Sequence, residues 1–193
     1  MTFAILRERL KLPDGCEAYW HRHVNRLANG IEMEGGWVEN TASVAPTVFV
    51  GENAIVGRNA TLKGQVRIED YAIVAGDSVI ADSVRIAGKA VVNGDVRISG
   101  HVIVTHNALV DEKARIDGRV TILGHAQVSG SVRISGLVII AGNAIVRGEA
   151  QLDESVVIGG TAIVEGNARF KGSFRVDGGT WDSGVHSGGE TTH

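Results

Sequence analysis

The stretches IIAGNAIVRGEAQL (139–152) and IVEGNARFKG (163–172) decide the fold. In both, a small residue (Ala144, Ala150, Ala168) is followed two positions later by a larger apolar one (Val146, Leu152, Phe170), and the pair recurs after six residues. Followed outward, the same spacing runs from Ala42 to Phe174 as 23 hexads without an insertion, and of the 46 positions it selects only Ser78 is polar. In a chain that is 44% apolar, chance does not arrange this. Small and large positions two apart point to the same side of a short strand. Two residues after the larger one comes Gly at 15 positions, among them Gly64, Gly118 and Gly142, and the next slot is often Asn (Asn53, Asn59, Asn107, Asn143, Asn167). Both residue types tolerate the left-handed backbone of a tight corner. Each hexad is therefore a strand and a corner.

A second period overlies the first. The small position is Val or Phe at 48, 66, 84, 102, 120, 138, 156 and 174, whereas 54, 72, 90, 108, 126, 144 and 162 are Ala. Three hexads thus make one coil of 18 residues, and the chain is expected to wind as a three-sided prism of about 7.5 coils. At roughly 4.8 Å per stacked strand, the prism is about 36 Å long. Such a solenoid needs capped ends. The expected organisation is an N-terminal cap over 1–40, the helix over 41–178 and a flexible tail over 179–193. In the cap, Pro13-Asp14-Gly15 is a turn signal. Phe3, Leu6 and Leu10, then Trp20, Val24 and Leu27, allow two short amphipathic helices, and a hairpin fits the same residues. In the tail the aliphatic slot is lost at Asp182 and the sequence becomes rich in Gly and Ser.

The repeated V-x-G-N-A run resembles the hexapeptide repeat of left-handed parallel β-helix proteins, and the resemblance covers about 70% of the chain. It implies an all-β, single-stranded, left-handed parallel β-helix. The handedness comes from the resemblance alone, since the general rule for parallel crossovers favours the right hand. Within that superfamily EGGWVEN (34–40), directly before the hexads, is similar to the Gly-Gly-Trp opening of the YdcK-like hexapeptide-repeat proteins.

Composition narrows the function classes. With 26 Gly against 2 Pro, and abundant Val and Ile, the chain is neither collagen-like nor low-complexity. A formal charge of −3 gives no long-range attraction to nucleic acid or an anionic membrane. The single cysteine, Cys16, forms no internal disulfide, and no leader-like or membrane-spanning apolar run is present, so the expected setting is the cytoplasm.

The 18-residue period sorts the outward residues onto three faces. The first carries Ser43, Thr61, Val79, Arg97, Arg115, Arg133, Gln151 and Arg169, an arginine stripe expected to pair with Asp95, Asp117, Glu149 and Asp153. The second carries Phe49, Arg67, Arg85, Ile103, Thr121, Ile139, Val157 and Arg175, with Leu123 and Leu137 beside them. The third carries Ile55, Ile73, Val91, Leu109, Gln127, Ile145 and Ile163. A straight aliphatic row of this size exceeds what monomers normally leave wet, so a covering partner is expected. Ile55, Ile73, Val91, Leu109, Ile145 and Ile163, with Ile103, Ile139 and Val157 of the adjoining face, are the expected interface. Two adjoining apolar faces suit a closed heterologous ring. A homotrimer is the expected assembly, as the resemblance also implies, ahead of a dimer through the third face.

Chemistry is harder to find. Acyltransferases of the same repeat usually carry an extruded loop and a catalytic His at a subunit boundary, and this chain has no such loop. His106 and His125, one coil apart at neighbouring corner slots, are the candidate catalytic residues; with Asp111 they are also the candidate metal ligands. His101 and His106 have the five-residue gap of the zinc histidines in the γ-class carbonic anhydrases, but no third His is placed to join them, and zinc favours three nitrogen or sulfur donors. Ser99, Ser129 and Ser135 read as turn residues without a singled-out base, and Cys16 as a lone cap thiol. The sequence therefore points to a non-catalytic structural or protein-interaction scaffold that needs no cofactor, with two alternatives. One is an acyltransferase taking acyl-CoA between subunits. The other is a binder of an anionic polymer through Arg97, Arg115, Arg133 and Arg169.

Overall fold

The corner slot holds the backbone that the sequence asks for. At Gly118 φ is +94°, and an added Cβ would lie 2.7 Å from the carbonyl oxygen of Gly136 in the next coil. Six other residues occupy the same slot with φ between +55° and +73°: Arg58, Asp70, Asp82, His106, Glu112 and Glu154. These corners turn the chain through three faces per coil. Strands separated by 18 residues then pair in parallel, as in Ile73↔Val91↔Leu109 on the third face. The computed structural model describes residues 7–11, 17–187 and 191–192, with side chains described from 19 to 187. It is an all-β, left-handed parallel β-helix of about eight turns, with no α-helix among the described residues.

The interior is as the hexads dictate. From Val48 to Val176 every inward position is buried, most of them with no exposed surface. Each coil combines Ala with Val, Ile, Leu or Phe, and these inward residues form one continuous core cluster. Ser78 is the polar exception; its hydroxyl lies 2.7 Å from the Ala75 carbonyl oxygen and 3.1 Å from that of Gly94, and donates locally. A buried hydroxyl with a partner costs little.

The N-terminal segment is a meander of strands. β1 (Arg7–Lys11), β2 (Glu17–Arg26) and β3 (Glu32–Glu39) pair antiparallel, which replaces the two helices the apolar spacing allowed. Phe3, Leu6 and the Pro13-Asp14-Gly15 turn lie outside the described residues. The reason for strands is the open edge below: Trp37–Val38 of β3 pairs in parallel with Ile55–Val56, so the meander extends the third-face sheet in its own plane. β2 also reaches the second face. There Asn25 donates to the Val50 carbonyl and accepts from the Val50 N–H, both at 2.8 Å, and the His23 Nε2–H donates to the Val48 carbonyl at 3.0 Å. An exposed sheet edge is thereby closed. Gly35 and Gly36 make the approach feasible, because a Cβ on Gly36 would sit 2.2 Å from the Ala54 oxygen and 2.3 Å from the Gly51 oxygen.

At the other end strand pairing continues beyond residue 178. Ile163↔Thr180 and Arg169↔Val185 pair in parallel at offsets shortened from 18 residues, so the winding continues after the hexad rhythm stops near Val176. Thr191–Thr192 also pairs with the strand below. Trp181 and His186 take inward positions of this last coil: His186 stacks on Phe170 at 4.7 Å, and Trp181 meets His186 edge-on at 5.0 Å. Aromatic rings replace aliphatic residues where no further coil covers the core.

Two outcomes are expected from this architecture. Gly36→Ala forces β3 off the first coil, lowering the stability of the cap by about 1–3 kcal/mol, read as faster amide exchange at Val50. Burial holds the His23 pKa below its usual value, despite the Val48 hydrogen bond that raises it, with nearby His21 lowering it further. The unfolded cap therefore takes up protons first, so cap stability is full above the ordinary histidine range and declines as pH falls below about 6.5. His23→Gln flattens that decline in a pH series of Trp20 fluorescence.

Candidate functional site

Stacking at 18-residue intervals turns each outward position into a column, and the columns decide which side chains meet. On the first face Ser43, Thr61, Val79, Arg97, Arg115, Arg133, Gln151 and Arg169 stand in register. The next outward column carries Ser99, Asp117, Ser135 and Asp153, where Ser99 Oγ donates to Asp117 Oδ1 at 3.0 Å and Ser135 donates to Asp153. Between the two columns runs a shallow groove of about 390 Å³, lined by the three consecutive arginines, the Ser and Asp column, Gln151 and the edges of Ile116 and Ile134.

The expected pairing of the arginines with flanking acids is largely absent. Among the described residues, Arg97 reaches Asp95 at 3.8 Å, while Arg115, Arg133 and Arg169 make no ion pair. The reason is columnar: Asp117 and Asp153 engage the serine one coil earlier in their own column. Those serines are therefore not unpartnered turn residues. The Ser99/Asp117 and Ser135/Asp153 intervals of 18 were the signal for these pairs in the sequence.

The second face begins with a charged network. Arg67 lies over the Phe49 ring at 4.3 Å, and Glu69 accepts from Arg67 at 2.7 Å and from Arg85 at 2.5 Å. Partial burial raises the Glu69 pKa, but the two guanidinium groups outweigh it and hold the carboxyl below its usual range. Farther along, Ile103, Leu137 and Ile139 are 40%, 56% and 38% exposed. The third-face residues Ile55, Ile73, Val91, Leu109, Ile145 and Ile163 are only half-buried in their own ladder. The difference is local. Along most of the third face an aliphatic neighbour lies above and below, whereas Arg85 and Thr121 flank Ile103 in its column.

The histidines and Asp111 are dispersed. His106 occupies the corner entering the third face at φ +63°, stacked above Gly124 and below Gly88, and His125 lies in the neighbouring column beside Asn107 and Asn143. Asp111 stands at the opposite end of the third-face strand Leu109–Val110, accepting from Asn93 at 3.2 Å and from the Glu112 N–H. A side chain at one corner of the prism does not converge with one across a face. Among the described residues no three His, Cys, Asp or Glu side chains are grouped to hold a metal ion, so the candidate set His106, Asp111 and His125 is not assembled. His101 is exposed beside Arg119 of the next coil, and Cys16 lies outside the described residues.

The structure is a parallel β-solenoid of about eight turns of about 18 residues, consistent with a hexapeptide-repeat β-helix. Compared with known proteins, the chain matches no family model and no curated relative. Among the described residues there is no helix long and apolar enough to cross a membrane.

His106 strains its corner, since an L-residue in the left-handed region costs roughly 1–2 kcal/mol. His106→Gly is expected to raise stability by about 1 kcal/mol after the entropy of Gly is deducted, measured as a shift of the thermal midpoint.

Proposed function

We propose that the protein is a structural or protein-interaction scaffold without chemistry of its own, acting in the cytoplasm and self-assembling through its adjoining second and third faces. The observation that carries this reading is the exposed aliphatic group Ile103, Leu137 and Ile139, one corner away from the half-buried ladder Ile55, Ile73, Val91, Leu109, Ile145 and Ile163. Two different apolar patches on neighbouring faces let one copy's second face meet another's third face. Such heterologous contacts close when the rotation is completed, and a three-sided subunit suits a three-fold ring. Val157 continues the second-face column below Ile139 and extends the same surface. The uninterrupted run of hexads supports the reading, because its outer residues form continuous strips. We also assign the chain to the YdcK-like branch, on the strength of EGGWVEN (34–40), whose Gly35 and Gly36 seat β3 against the first coil.

Light scattering at micromolar concentration tests the assembly. The wild type is expected at three times the 20.3 kDa chain mass, and Ile103→Lys/Ile139→Lys at one chain. Both substitutions are outward and leave the core untouched. A monomeric wild type, or an unchanged oligomer in the variant, refutes the interface. Saturable binding of acetyl-coenzyme A by calorimetry would favour an acyltransferase over the scaffold.

A further inference from the structure

The first face carries a charge pattern that the assembly leaves unused. Arg97, Arg115 and Arg133 stack in three successive coils, at about 4.8 Å per step, and Arg169 follows two coils later beyond Gln151. Like charges placed directly opposite in neighbouring strands repel. Among the described residues the acids form one ion pair with this column, Asp95 with Arg97 at 3.8 Å, while Asp117 and Asp153 accept from Ser99 and Ser135 and leave Arg115 and Arg133 without a paired carboxylate. A column of cations under-neutralised from within calls for an anion from outside, and guanidinium groups bind carboxylates through paired donors.

We propose that the groove of about 390 Å³ between the two columns binds an extended acidic polysaccharide, with sugar carboxylates on the arginine column and sugar hydroxyls donating to Asp117 and Asp153. Two features favour this ligand over polyphosphate or a nucleic acid strand. Asp117 and Asp153 in the groove accept hydrogen bonds and donate none, and sugar hydroxyls supply the donors they take, which the oxygens of a polyphosphate or nucleic acid backbone do not. Gln151, interrupting the arginine column, offers both a donor and an acceptor to an uncharged part of the sugar. The first face is not one of the two that the proposed assembly buries, so the groove is open in monomer and oligomer alike, and this inference stands or falls separately from it.

The test is fluorescence anisotropy with a labelled oligogalacturonide long enough to span four coils. Saturable binding is expected, weakening as salt is raised, and reduced about tenfold or more by Arg115→Ala/Arg133→Ala. Asp117→Asn/Asp153→Asn is expected to loosen the oligogalacturonide and tighten inorganic polyphosphate. Far-ultraviolet circular dichroism checks that each variant is folded; Arg115→Gln alone, with an expected smaller loss, serves if the double variant is not. No saturable binding, equal binding by the arginine variants, or stronger binding of polyphosphate or single-stranded DNA by the wild type overturns the proposal.

Discussion

Everything in this protein depends on a corner recurring every six residues with the backbone in the left-handed region. Because the corners of successive coils lie directly over one another, Gly118 over Gly136 for example, the spacing between coils is set by backbone against backbone. An insertion would displace every later strand from its partner. This is why 23 hexads follow without one, and why the interior needs a small residue beside a large one at each side of the prism. The six non-glycine corners that take a positive φ show that the geometry is imposed by the stack as a whole, which over-determines φ at residues that would not adopt it alone.

The same logic makes the ends the expensive part. Each inner coil is covered above and below, but the first and last expose both core and unpaired backbone groups. The N-terminal end meets this with polar side chains, Asn25 and His23 standing in for a missing strand at Val48 and Val50. The C-terminal end meets it with rings, Trp181 and His186 packing on Phe170. One end needed hydrogen bonds because a sheet edge was open; the other needed area because the core was.

Outside, the stack converts sequence distance into contact. Residues 18 apart become neighbours, as with Asn59 and Asp77, Asn93 and Asp111, or Arg147 and Glu165. The aliphatic third-face column shades itself to half-burial, whereas Ile103 and Ile139 of the mixed second-face column stay exposed. Charged columns behave differently again: where a carboxylate lies within reach, as Glu69 does between Arg67 and Arg85, the charges close on themselves, and where it is held by serine they do not. The functional proposals rest on this difference.

The hexad rhythm alone determined the fold class, the inward set and the membership of each face, because one conformation repeats and each residue's direction follows from its number. Ala54, Val102 and Ile140 are buried where that rhythm puts them. The cap was not legible in the same way, since the apolar spacing of 19–27 suits helix and strand alike, and what selected strands was the open edge of a sheet formed by residues farther along the chain. Nor did the column order say that Asp117 and Asp153 would turn to serines and leave Arg115 and Arg133 bare. Periodicity assigns a face to a residue; the choice among partners within reach depends on side-chain lengths and directions that exist only once the coils are stacked.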